Sequence, residues 1–138
     1  MPKLIPALCL ALLVTGCAST SKKTRAAQKE FEATIPVCSG KLECDTMWSV
    51  AEVWTAGKIL SPLTVTTDTL IETKESFGTN TAVRIVKEPA GEPGNFRIVI
   101  SAWCKNRFTC VPDTAEVMLD FNRTLNEIDM RKDRPRGK

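Results

Sequence analysis

The apolar positions of the chain form two helical stripes with strand-like alternation between them. Met47, Val50, Ala51 and Trp54 share one face at about 100° per residue. Asp45 stands where an N-cap belongs and Gly57 where a C′ residue belongs, so a helix is predicted over Thr46 to Ala56. Trp48 lies about 100° from the centre of that stripe, placed either to cover a neighbouring cysteine pair or to face a partner. A second stripe, Val117, Met118, Phe121, Leu125 and Ile128, follows Pro112 and the capping-box spacing of Asp113 and Glu116.

Between the helices, Leu63, Val65, Thr67, Thr69, Ile71 and Thr73 alternate. That predicts one or two strands, bent near Asp68. Gly78 and Asn80 signal a turn, Ala82 to Glu88 reads as the next strand, and Pro89 to Gly94 as a wide hairpin loop. Asn95 to Trp103 is the plainest strand, with Phe96, Ile98, Ile100 and Ala102 on one face. Val99 and Trp103 make its other face partly apolar. The order predicts one α+β domain over residues 38–130: a helix, three or four mainly antiparallel strands, and a second helix. Both helices are expected on one face of the sheet.

The flanks read differently. Residues 17–37 are polar and closed by Pro36, which suits a flexible tether with at most a helical turn or two over Ala26 to Ala33. Lys22, Lys23 and Arg25 would favour anionic headgroups if a membrane lay near them, or serve solubility. Residues 131–138 form a basic, solvated tail.

The first seventeen residues carry an address. A single Lys3 precedes the eleven-residue apolar run Leu4 to Val14, which Pro6 interrupts. A membrane-crossing helix needs about 20 apolar residues, so this run fits a secretory leader over residues 1–16 instead. Val14-Thr15-Gly16-Cys17 then resembles the lipobox of bacterial lipoproteins. The resemblance implies that Cys17 receives diacylglycerol, that a peptidase cuts before it, and that the new amino group is acylated. Several acyl chains anchor stably where one binds reversibly. Ala18 and Ser19 follow, and neither is the Asp that retains such proteins in the inner membrane of enteric bacteria, so the outer membrane is the implied destination.

Six cysteines then divide by role. Cys9 leaves with the leader and Cys17 takes lipid. Cys38, Cys44, Cys104 and Cys110 remain, an even number in an exported chain, which implies disulfides. Both sets read Cys-x5-Cys, and each would close a short loop just before a helix. Spacing favours the local pairs 38–44 and 104–110 over crossed pairs joining the two helix starts. A redox pair is usually Cys-x-x-Cys, and zinc pairs are spaced by about two to four residues, so neither reading fits as well. The mature part is also similar to small Gram-negative envelope lipoproteins with C-x5-C-x3-W and a later C-x5-C-x-P, here Cys38, Cys44, Trp48, Cys104, Cys110 and Pro112. That pattern implies no activity.

Composition narrows the chemistry. The 138 residues contain no His, so catalytic units built on His and His-ligated metal sites are excluded. A net charge of +3 does not point to nucleic acid. Asp45, Asp68, Glu72, Glu75, Asp113, Glu116 and Asp120 are available carboxylates, but nothing in their spacing pairs them for hydrolysis. No phosphate-loop, zinc-protease or nucleophile-elbow motif is present. The loop Lys105-Asn106-Arg107-Phe108 offers two cations and an aromatic on a stapled turn, a fitting recognition element, although Phe108 would by default tuck onto the core. The expectation is a non-enzymatic lipoprotein without cofactor or metal, lipid-anchored and facing the periplasm. It would contact a protein partner through Trp48, Lys105, Arg107 or Phe108. The alternative is a periplasmic inhibitor or ligand-binding module acting on a cell-wall enzyme or small molecule.

Overall fold

The computed structural model describes residues 18–75, 78–106 and 108–128. Among them the order is α1 (Ala18–Ala33), β1 (Val37–Ser39), α2 (Lys41–Lys58), β2 (Leu63–Thr66), β3 (Leu70–Thr73), β4 (Ala82–Pro89), β5 (Asn95–Trp103) and α3 (Thr114–Asn126). The strands form one antiparallel sheet in the order β1-β5-β4-β3-β2. The architecture is α+β, with α2 and α3 laid on the sheet. The expected strands are present, and β1 adds a fifth beside β5.

Pleat and helix pitch together make the core. Ile98 and Ile100 of β5, Val83 and Ile85 of β4 and Ile71 of β3 point to the helices. Met47, Ala51 and Trp54 of α2 and Val117, Phe121 and Leu125 of α3 meet them. Both predicted stripes are therefore core, with Val50, Met118 and Ile128 packed at its margin. Asp113 caps α3 as its spacing predicts, its carboxylate accepting from the amides of Ala115 and Glu116 at 3.0 Å each.

The start of α2 corrects the sequence reading. The helix begins at Lys41, not Thr46, and its N-cap is Gly40 rather than Asp45. Gly40 supplies φ 78° where the chain turns from β1 into the helix, a conformation that costs glycine little. Asp45 instead lies one turn inside and pairs with Lys41. At the other end α2 continues through Gly57 to Lys58 and is capped at Ile59. Cys44 thus falls in the first turn of α2, and its disulfide ties that turn to β1 rather than closing a loop ahead of the helix.

Residues 18–33 are helical where a flexible tether was expected. α1 has only a weak apolar face, and the contact that holds its end lies at Phe31 and Thr34. Asn122, fully buried on α3, donates to the Phe31 carbonyl and to Thr34 Oγ1, each at 3.2 Å. Asn126 donates to the Thr34 carbonyl at 2.7 Å. The helix C-terminus, which leaves carbonyls without intrahelical partners, is satisfied by the neighbouring helix.

Both disulfides are local, Cys38–Cys44 and Cys104–Cys110. Loops this short give about 2–3 kcal/mol of stabilisation by chain-entropy reasoning. They differ in surroundings, because Cys38 and Cys44 are 1% and 3% exposed within the core while Cys104 and Cys110 are only part-buried. Replacing Cys38 and Cys44 by Ala is therefore expected to lower the urea unfolding free energy by more than the same change at Cys104 and Cys110. Equal losses would show that the core does not sense the first bridge.

Candidate functional site

Two surfaces at opposite ends of the sheet combine exposed or groove-lining aromatics with charge. The first lies beside the Cys38–Cys44 disulfide, between the N-terminal half of α2 and the end of the β4–β5 hairpin. Lys87 continues the inward-facing row of β4 but sits at the sheet's end, so its side chain reaches the groove rather than the core. Its ammonium lies 5.0 Å from the centroid of Trp48 and 5.9 Å from that of Phe96, within cation–π range of both rings. Trp48 is fixed from behind, its indole N–H donating to the Thr67 carbonyl at 2.9 Å in the β2–β3 turn.

The groove has a volume of about 570 Å³ and opens to solvent. Asp45, Glu52 and Asp68 rim it together with Lys41. The Lys41 ammonium is held above its ordinary pKa by its hydrogen bond to Asp45, by the Asp45 charge, and by that of Asp68. An apolar floor with both signs of charge around it suits recognition of a polar surface.

The second surface is the loop closed by Cys104–Cys110. Phe108 is 96% exposed, against the expectation that it would tuck onto the core. The loop's own hydrogen bonds explain why. Asn106 Oδ1 accepts from the amides of Phe108 and Thr109 at 2.8 and 3.1 Å, an Asx turn that holds the chain outward. Lys105 pairs with Glu75 at 3.2 Å, and Glu75 also accepts from the Trp103 indole at 3.1 Å.

The residues singled out from sequence are thus separated. Trp48 forms the wall of the groove and is buried, while Lys105 and Phe108 lie at the other end of the sheet. Cys17 and Arg107 lie outside the described residues. The sequence reading missed Lys87 and Phe96 as groove residues. The available signal was Lys87 falling on the apolar parity of Val83 and Ile85, where a lysine needs an opening.

Glu72 and Asp120 each face a side chain other than a carboxylate. Glu72 faces Arg84 at 3.7 Å across the outer sheet face, and Asp120 accepts from the Trp54 indole at 3.0 Å. Among the described residues, no group of three or more Cys, Asp or Glu is arranged to hold a metal ion, and no helix is long and apolar enough to cross a membrane. Comparison with protein-family models, curated proteins and solved structures finds no match for the chain.

Proposed function

We propose that this protein is a non-enzymatic lipoprotein of the bacterial outer membrane, anchored through Cys17 and facing the periplasm. Its domain holds a protein partner, as an accessory subunit or envelope-maintenance factor. The observation that carries the partner-binding part is the groove of Trp48, Lys87 and Phe96 with its charged rim. Binding hot spots are enriched in large aromatics and cations held in rigid surroundings. Here a disulfide, the Trp48–Thr67 hydrogen bond and two cation–π contacts remove most of the ordering cost before any partner arrives. The openness of the groove favours the side chains of a protein surface over a small molecule, which is generally enclosed on most sides.

Site-specific photo-crosslinking in intact cells tests this. A photo-reactive residue at Ser49, exposed on the groove, is expected to yield a discrete adduct with one envelope protein. The same probe at Ser101, exposed on the opposite sheet face, is expected to yield none. Adding Lys87→Glu, which puts a further negative charge among Asp45, Glu52 and Asp68, should weaken capture about tenfold, matching a hot-spot loss of about 1.4 kcal/mol. Equal adducts at both positions, or none at Ser49, would remove the groove from the proposal.

A further inference from the structure

The structure points to a second contact with the membrane: we infer that the end of the domain carrying Phe108 rests on the bilayer surface, with the Phe108 ring in the headgroup region. The inference rests on anchoring through Cys17, and it assigns the domain an orientation that anchoring alone does not.

Three observations converge on that end. Phe108, Leu60 and Val111 are 96%, 65% and 46% exposed. Their segments are joined by hydrogen bonds, since the Val111 amide and carbonyl bond Thr79 and Thr81, and Ser61 Oγ donates to the Thr81 carbonyl. Leu60 follows the last turn of α2, so the helix and the Cys104–Cys110 loop deliver apolar side chains to the same end. An exposed phenyl ring on a loop already ordered by a disulfide and by Asn106 can enter an interface without paying to be folded first. Phe and Leu side chains enter the headgroup–acyl boundary in interfacial segments, where their apolar surface leaves water.

The third observation is the direction of α1. Asn122 bonds both Phe31 and Thr34 while Asn126, one turn later, bonds only Thr34, so the last turn of α1 advances with α3. Where they touch, the end of α1 therefore runs in the same sense as α3. α3 starts at Thr114, directly after the Cys104–Cys110 loop, and α1 is therefore directed from that same end. Residues 37–39 continue in the same sense, antiparallel to β5, toward Gly94. Continued back in that sense, α1 points from Thr34 toward the Phe108 side, with Ala18, the residue after the proposed acylation position, at its start. A bilayer holding the acyl chains of Cys17 is thus the surface closest at hand for this loop, and a bilayer is the occupant its chemistry fits.

The test uses the full, acylated protein, purified from membranes and reconstituted into protein-free vesicles of phosphatidylethanolamine and phosphatidylglycerol doped with a brominated phosphatidylcholine. Phe108→Trp reports on the loop, and Leu42→Trp, exposed at the start of α2 by the opposite end, is the reference. Signals are read against the three native Trp residues of the parent protein. The added emission at 108 is expected to be quenched by the bromines, and that at 42 to be unaffected. Flotation with the vesicles but no quenching at 108, or equal quenching at both positions, overturns the inference while leaving the anchor intact. Shielding of position 108 in native membranes but not in vesicles would assign the loop to a protein and overturn it likewise. Failure to float at all would sink the anchoring, and this orientation with it.

Discussion

Phe121→Ala is expected to cost about 3–5 kcal/mol of folding stability, the range for removing a large aromatic from a closed core. Phe121 is fully buried on α3 and meets the Trp54 ring of α2 edge-on, with centroids 5.0 Å apart and planes at 73°. It joins the two helices to each other and to the inward row of β5. Trp54 cannot follow the missing ring, because its indole N–H is fixed to Asp120. The space left behind therefore stays open, and a residual cavity adds to the lost transfer energy. Urea unfolding followed by tryptophan fluorescence gives the measurement. A loss below about 2 kcal/mol, smaller than most large-to-small changes in sealed cores, would show that the core collapses around the gap.

That site was legible because α3 announces itself twice. Its cap, Asp113 with Glu116, and its stripe are both local signals, and nothing distant contradicts them. β5 was readable to its end residues for a related reason: one apolar face, Phe96, Ile98, Ile100 and Ala102, continues through nine residues that contain no Gly or Pro. The start of α2 was misread because Asp45 satisfies the local rule for a cap as well as any residue does. What displaces it is non-local. The Gly40 amide is held by the Gly94 carbonyl of the hairpin at 2.9 Å, and the Ser39 amide by the Glu43 carboxylate at 2.8 Å, so the helix can begin a turn earlier.

β1 and α1 were missed on the same grounds. Three residues, Val37 to Ser39, show no period, and they become a strand only because β5 offers an unpaired edge. α1 lacks the apolar stripe by which helices are recognised, and its fixed end depends on Asn122 and Asn126, some 90 positions away in the chain. Asn122 is buried within an otherwise apolar stripe, and one of its atoms, Oδ1, has no partner among the described residues. The groove shares this property. Trp48, Lys87 and Phe96 lie on three separate elements, and it takes the β4–β5 register together with the packing of α2 on the sheet to bring their side chains together.

Cys17→Ser is the other change with a large expected effect, and it acts on location rather than stability. Only a thiol forms the thioether to diacylglycerol, so the hydroxyl of Ser leaves the position unmodified. On the lipobox reading, cleavage before residue 17 follows lipid attachment, and the variant should keep residues 1–16. Intact mass is therefore expected to show an unacylated precursor, and metabolic labelling with radioactive palmitate should fall to background. Fractionation alone is a weaker measure, because the retained apolar run Leu4 to Val14 can itself hold a precursor at the membrane. Cys9→Ser serves as the control, since a thiol lost with the leader has no part in acylation, and labelling should stay at the parent level. Each acyl chain contributes about 0.8 kcal/mol per buried methylene, so losing all of them removes far more than the basic residues near Ala18 can replace. An acylated or normally trimmed Ser variant would overturn the lipoprotein assignment, and the orientation inferred from α1 would lose its anchor.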